Sequence, residues 1–446
     1  MPIFPHMERL RRAPDDEGMS LVELMMAIMV FGIAMAGLMG GFISVGQKTR
    51  LDKDRVAAAN LAARELEIVR NEFNASSSGP LTVAASSSVT NGYPLTGGTT
   101  GQPLVVDNVP YTVIRRAEWL PAGTGQSPCD GGSSVTYPTL AVNVQVSWPS
   151  MGQVAPVESN TLLTPPKGVL ASSVSFVAVK VLSAAGQGQE YIPVTLTGPG
   201  GTLTGTTAED GCATVAVSTA GTYTASLSKT GWVDFYGAAT PSKSVTAASS
   251  SIARLTFNYD RAASIRVRLL TDAGYALPTG LRSVTLANTG LQPSGTAVRD
   301  IGTSGSYTLA TLWPFTDGYT VWAGSCTQSD PATAGGARDT AVVTQPGNTS
   351  EEDVLLGAVS VTVRTAGGAA VTGAAVTAVP LATAGCAVSE NPLSLGTTDA
   401  TGVLKVSLPA GQWTLQVTGR TPSGAWPTTA AVLPGAAPLS QVVTVS

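Results

Sequence analysis

Charge and imidazole are both scarce in this chain, and each shortage closes off a class of function. Only 12% of the 446 residues are charged, and from Ala75 onward 16 lysines and arginines stand against 19 acids. Affinity for nucleic acid needs concentrated cations, so a nucleic-acid partner is not expected. The single histidine is His6. The rest of the chain lacks the group on which histidine triads, histidine metal sites and most general acid–base schemes depend. No nucleophile, carboxylate pair or metal-ligand cluster stands out, and EF-hand spacing is missing. The expectation is a protein that is not an enzyme and holds neither metal nor cofactor. Cysteine is sparse too: Cys129, Cys212, Cys326 and Cys386 form no C-x-x-C pair. An even count in an exported chain permits two disulfides, in three alternative pairings. Cys326 with Cys386 is the favoured pair, which leaves Cys129 with Cys212; free or buried thiols are the other reading.

What the chain has in quantity is turn formers, 49 glycines and 29 prolines, in a background of Ala, Thr, Val and Ser. That balance reads as turn-dense β structure beyond a first helix, an α+β class that is mostly β. The length suggests about three or four domains. Residues 24–45 form a run of 22 without one ionisable group. At about 1.5 Å of rise per residue this run crosses the roughly 30 Å hydrocarbon core of a bilayer. Glu23 stands one residue outside it. A carboxylate carried to mid-bilayer costs up to about 3.5 kcal/mol, so an ordinary span avoids it or gives it a partner. A cut after Gly18 supplies one, because the new amine of Met19 lies four residues before Glu23 on the same helical face.

Gly18-Met-Ser-Leu-Val-Glu23 and the run behind it resemble the class III leader of type IV prepilins and pseudopilins. The resemblance implies that a prepilin peptidase cuts between Gly18 and Met19 and methylates the amine of Met19. It also implies that Glu23, at the fifth mature position, meets the N-terminus of a neighbouring subunit during assembly. At about 4 Å and an effective dielectric near 20, such a pair attracts by about 4 kcal/mol before desolvation. Met19 departs from the phenylalanine commoner at that place, and Asp15, Asp16 and Glu17 depart from the usual basic leader. Orientation is taken from the leader, since Arg9, Arg11 and Arg12 before the span are balanced by Lys48, Arg50, Lys53 and Arg55 after it. A secretory signal has a shorter apolar run with its cleavage site behind it. A plain signal anchor, with Glu23 there by accident, is the other alternative.

Residues 1–18 are thus read as leader and 19–74 as one helix of about 80 Å, its membrane part at about 24–45. Leu51, Ala58, Ala62, Leu66, Val69 and Phe73 fall on one stripe at 100° per residue. Arg55 interrupts that stripe, and Asn60, Arg64, Glu67 and Asn71 face away. Gly32, Gly37, Gly40 and Gly41 weaken the helix in water by about 1 kcal/mol each, yet allow close helix approach in a membrane. The Ser, Gly and Pro cluster at 75–80 ends it, after which alternating strands are expected. Residues 75–172 read as a pilin-type antiparallel β head with strands near 110–119 and 140–148; in the second, Leu140, Val142, Val144, Val146 and Trp148 alternate with Ala141, Asn143, Gln145 and Ser147, the pattern of a half-buried strand. The turn at 148–152 and the ending at 161–166 resemble minor pilins of Gram-positive bacteria.

Beyond Pro165 and Pro166 the pattern changes to repeats of about 90 residues, placed at 173–260, 261–357 and 358–446. Each opens on an alternating strand: Val177, Val179 and Val181; Ile265, Val267 and Leu269; Val359, Val361 and Val363. Each later sets a ring beside glycine, at Tyr223, Tyr319 and Trp413. Closing strands are visible in two, at Leu255, Phe257 and Tyr259 and at Val443 and Val445. The repeats resemble prealbumin-like and collagen-adhesin B-type β-sandwiches, so three tandem Ig-like sandwiches are expected. That resemblance raises a cross-link between Lys180 and Asn258, but no acid stands where the catalysing one belongs. Trp313, Phe315, Tyr319 and Trp322 either fill the second sandwich or present rings to a sugar or partner. Asp210, Asp317 and Asp399 are expected to stabilise turns. Asn74 and Asn348 open short glycosylation patterns.

Taken with the resemblance, these features imply a minor type IV pilin whose partners are prepilin peptidase, the membrane and other pilin subunits. It is expected to be single-pass in the cytoplasmic membrane before assembly and on a cell-surface pilus afterwards, its large head serving adhesion to a surface ligand or assembly priming. A type II secretion pseudopilin shares the same mechanics. A membrane-tethered surface adhesin that never assembles shares the sandwiches and has no use for Gly18 and Glu23.

Overall fold

A computed structural model describes residues 21–120, 127–131, 138–149, 151, 155–166, 174–292, 295–303 and 305–446. The chain forms two compact units, one of Met1–Ile68, Thr90–Arg115 and Asn143–Asn160, the other of Val69–Val89, Arg116–Val142 and Thr161–Ser446. The first element is helix α1, Leu21–Asn74, 54 residues long and so about 80 Å. Its end is tightened locally, because the Ala75 amide donates to the Glu72 carbonyl at 3.2 Å, one of the last four carbonyls, which lack an ordinary intrahelical partner. The expected stripe is buried at Ala58, Ala62, Leu66, Val69 and Phe73, with Leu51 half-buried. Leu61 and Glu65 are buried as well, which widens the stripe beyond its predicted positions. Arg55 is exposed and does not interrupt it.

The helix is not followed directly by strands. A second, short helix α2 occupies Gly79–Ala84, with Pro80 in its first turn. Proline needs no amide partner there and its fixed φ suits a helix start, so the same cluster that ends α1 begins α2. Five head strands then form one sheet in the order Ser88–Thr90, Val109–Leu120, Thr139–Ser147, Val157–Leu163, with Leu104–Val106 folded back on Val109–Leu120. Asp107 and Asn108 connect that hairpin with φ of 49° and 64°, the pair of positive angles that a two-residue type I′ turn demands. Residues 139–147 alternate strictly between half-buried and buried, as their side chains do in the sequence.

Each repeat is built of two sheets. In repeat 1 they run Ser242–Ala247, Gly221–Leu227, Pro193–Gly198, Gly201–Thr206 and Trp232–Asp234, Ile252–Arg261, Ser175–Leu182, Cys212–Val217. Repeat 2 has Ser306–Leu312, Ala263–Leu270, Thr349–Leu355 and Thr296–Asp300, Ser283–Ala287, Thr320–Ala323. Repeat 3 has Val403–Leu408, Gly357–Thr365, Leu439–Val445 and Leu393–Thr397, Ala375–Pro380, Trp413–Val417. Within every repeat the opening and closing strands are parallel neighbours, and the other pairs are antiparallel. Repeat 1 has a core of its own, including Ile192, Leu196, Tyr223, Phe257 and Tyr259. Repeats 2 and 3 do not each have one: a single buried cluster runs from Ala263 to Val445. Ala276 is bonded to both Lys405 and Ser407 along the backbone, so the second and third repeats are joined side to side as well as end to end.

Candidate assembly site

The first half of α1 is apolar on every face and covered on none. From Leu21 to Val45 every described side chain is exposed, and Leu21, Met25, Met29, Ile33 and Met39 are each more than 60% accessible. Exposed apolar patches beyond a few hundred Å² mark contact with a membrane or another protein. The helix is long and apolar enough to cross a membrane. Glu23 sits in its first turn, exposed, and is the one ionisable side chain among the described residues from Leu21 to Gln47. A carboxylate at that end is favoured by the helix dipole by about 0.3–1 kcal/mol. Gly18 and Met19, the expected cut and methylation positions, lie outside the described residues. A Cβ added at Gly32, Gly37, Gly40 or Gly41 meets nothing within 4 Å, so this fold does not itself require glycine there.

The remaining candidates lie in the repeats. Cys129 is joined to Cys212 and Cys326 to Cys386, across 83 and 60 residues. The loop around Cys129 is tied to repeat 1 by more than sulfur. Lys180 Nζ donates to Asp130 Oδ2 at 2.6 Å, and Arg254 donates to the carbonyls of Pro128 and Gly131 at 2.8 and 2.7 Å. The amine of Lys180 is therefore engaged by Asp130. In the strand register Lys180 aligns with Thr256, while Asn258 aligns with Leu182 and is exposed.

Trp313, Phe315, Tyr319 and Trp322 are all buried. Phe315 and Tyr319 meet edge to face at 5.3 Å, and the Tyr319 hydroxyl donates to the Trp313 carbonyl at 2.6 Å. Burial pushes that phenol far above its ordinary range. The rings are core, as the first of the two readings has it, and offer no surface on which sugars could stack. The three aspartates lie in turns. Asp210 accepts from the Cys212 amide at 2.9 Å and Asp399 from the amides of Thr401 and Val403 at 2.8 and 3.0 Å, both local turn bonds, whereas Asp317 sits in a turn but accepts from Asn288 Nδ2, 29 residues away, at 2.8 Å.

One buried cluster carried no signal in the sequence. Glu390 Oε2 accepts from the Ser325 amide at 2.8 Å and the Ser325 hydroxyl at 2.6 Å, and the Ala387 amide donates back to Ser325 Oγ at 2.7 Å. Gln328 bridges the same junction, donating to the Gln412 carbonyl and accepting from the Ala382 amide, each at 2.9 Å. With Cys326–Cys386 beside them, these bonds stitch repeat 2 to repeat 3. Sixty-five residues separate Ser325 from Glu390, and no spacing rule connects them.

Three solved structures illustrate what the chain is compared with. The Bacillus anthracis TIE protein is 12% identical over 78% of this chain and 74% of its own, with a TM-score of 0.21. BcpA, the major pilin subunit of Bacillus cereus, is 11% identical over 61% and 100%, with a TM-score of 0.19. GBS52, a minor pilin of Streptococcus agalactiae, is 12% identical over 40% and 94%, with a TM-score of 0.18. Scores this low carry no argument about fold or role. No curated protein matches the sequence. Residues 15–39 match the family described as the prokaryotic N-terminal methylation motif. The uncovered apolar helix therefore begins within a prokaryotic N-terminal methylation motif.

Proposed function

We propose that this protein is a minor type IV pilin, a structural subunit without catalytic activity. The observation that carries the reading is an apolar helix whose described side chains from Leu21 to Val45 are all exposed, with one carboxylate, Glu23, in the first turn and a methylation motif overlapping it. Prepilin peptidase cuts between Gly18 and Met19 and methylates Met19. The helix holds the subunit in the cytoplasmic membrane as a single span, then passes into the filament core as Glu23 pairs with the amine of a neighbouring subunit. A head of one sheet and three repeats is too bulky to stand at every filament position. The subunit is therefore sparse or at the tip, where it serves adhesion or assembly priming.

Two measurements test this. Sequencing of the extracted protein is expected to give N-methylated Met19 as the first residue, and an intact leader with Arg9 would overturn the reading. Glu23→Ala is expected to leave the protein in the membrane with its head folded but absent from sheared filaments; unchanged incorporation would also overturn it. Removing residues 173–446 separates the two machines that use such helices. Lost surface attachment with intact filaments supports an adhesive pilin, and lost secretion supports a pseudopilin.

A further inference from the structure

In each repeat the opening and closing strands lie side by side and parallel over seven aligned residue pairs. Pulling such a unit by its two chain ends drags the paired strands in opposite directions along one ladder, so all its hydrogen bonds are loaded together. The disulfides reroute that tension, because it follows the shortest covalent path. The bond between Cys129 and Cys212, whose Cα atoms are 5.9 Å apart, skips the opening strand of repeat 1. The bond between Cys326 and Cys386 skips the closing strand of repeat 2 and the opening strand of repeat 3. Every one of the three ladders has one strand off the load line.

For repeat 1 the register shows what this changes. Without the bond, load enters at Ser175 and leaves past Arg261. These are opposite ends of the ladder, since Phe176 aligns with Ile252 and Leu182 with Asn258. With the bond, load enters at Cys212, which aligns with Lys180. Entry and exit then lie at the same end of the opening strand, which stands between the two loaded strands in the sheet. Tension of that geometry peels the strands one hydrogen bond after another.

We propose that the repeats are a tension-bearing stalk in which the Cys129–Cys212 bond makes repeat 1 a soft, length-limited spring. It yields by peeling at lower force than its own ladder would by shear, and extension stops when the chain beyond Cys212 is drawn out. The skipped segments, 83 and 60 residues, hide about 290 Å and about 210 Å of contour at roughly 3.5 Å per residue. The bonds from Lys180 and Arg254 to the Cys129 loop hold the entry point closed at rest. Only the source of the tension rests on the pilin reading.

The test is to pull the mature chain between handles at its two termini, in detergent, with and without a thiol reductant. Reductant is expected to lengthen the fully extended chain by both hidden segments and to raise the force at which repeat 1 yields. Cys129→Ser with Cys212→Ser is expected to raise that force and add only the larger increment; Cys326→Ser with Cys386→Ser adds only the smaller and leaves the repeat 1 force alone. A repeat 1 force that stays the same or falls in reductant overturns the proposal. Reducing the folded wild-type chain keeps the test valid if a variant does not fold. Because the chain is pulled in isolation, this outcome is independent of whether Glu23→Ala enters filaments.

Discussion

The two halves of α1 are one unbroken helix whose apolar surface meets opposite fates. From Ala58 to Phe73 one stripe of apolar residues is buried, with Ala59 and Ala63 facing out; from Leu21 to Val45 they cover every face and none of those described is buried. An amphipathic stripe is what a helix needs to lie on its own domain, and a helix apolar all round needs a solvent that is itself apolar. The difference locates the function. The second half packs into its own head, while the described side chains of the first half lie open to an apolar surrounding, lipid or protein.

The sharpest way to break the comparison is to truncate one large residue in each half. Phe73→Ala removes a ring only 2% accessible and is expected to cost about 3–5 kcal/mol of stability in urea unfolding. Val30→Ala, 63% accessible before the change, is expected to leave the same curve unmoved. Equal effects would mean that both halves serve the fold. A smaller loss is expected at Arg64, which donates to the carbonyls of Tyr93 and Pro94 at 3.0 and 3.1 Å. Arg64→Ala removes two charge-assisted bonds and should cost about 1.5–3 kcal/mol, again visible in urea.

Much of this was legible in residue order, and the failures have physical causes. Periodicity reports how a side chain faces, so the long helix, its stripe, the strand at 139–147 and all three opening strands could be read directly. The closing strand of repeat 2 could not. Thr349–Leu355 carries Glu351, Glu352 and Asp353, three successive acids that break the apolar alternation by which the other two closing strands were seen. In the sheet, Arg266 and Arg268 on the parallel neighbour meet Glu351 and Asp353 at 3.2 and 2.7 Å. Helix α2 was hidden because Ser, Gly and Pro punctuate helix starts as well as helix ends. The shared core of repeats 2 and 3 and the Ser325–Glu390 contact depend on which surfaces come together, and no local pattern encodes that. Glu23 stood out in the sequence as a lone carboxylate at the border of an apolar run, and it lies exposed in the first turn of α1.

Two carboxylates restate the contrast at smaller scale. Glu23 stands exposed on the bare half of α1, while Glu118, on strand Val109–Leu120, is half-buried. Burial, with Asp210 adding to it, pushes the Glu118 carboxyl up to about 8. The folded state then keeps a proton that the unfolded chain releases above about 4.5. Native protein binds more protons than unfolded protein across that window, so stability is greatest below it and falls as pH rises towards 8. Glu352, pushed up to about 7 by burial and by Asp339 and Asp353, acts in the same direction. The slope from one such group is at most about 1.4 kcal/mol per pH unit. Glu118→Gln is expected to flatten it, with urea midpoints at pH 5 and pH 8 drawing together because the variant gains at pH 8. An unchanged slope would assign the pH dependence elsewhere.

The smallest expected effect on stability is the one that separates the halves most cleanly. Gly40→Leu places a large side chain where nothing lies within 4 Å of an added Cβ, in a part of the helix whose described side chains are exposed. Glycine to leucine even favours the helix by under about 1 kcal/mol, so head unfolding in detergent should not move. In a filament the same change sets a leucine between helices that small residues would let approach closely, and incorporation into sheared filaments is expected to fall. If instead the head unfolds earlier while incorporation is untouched, then the bare half of α1 packs on its own chain, and the division drawn between the halves is wrong.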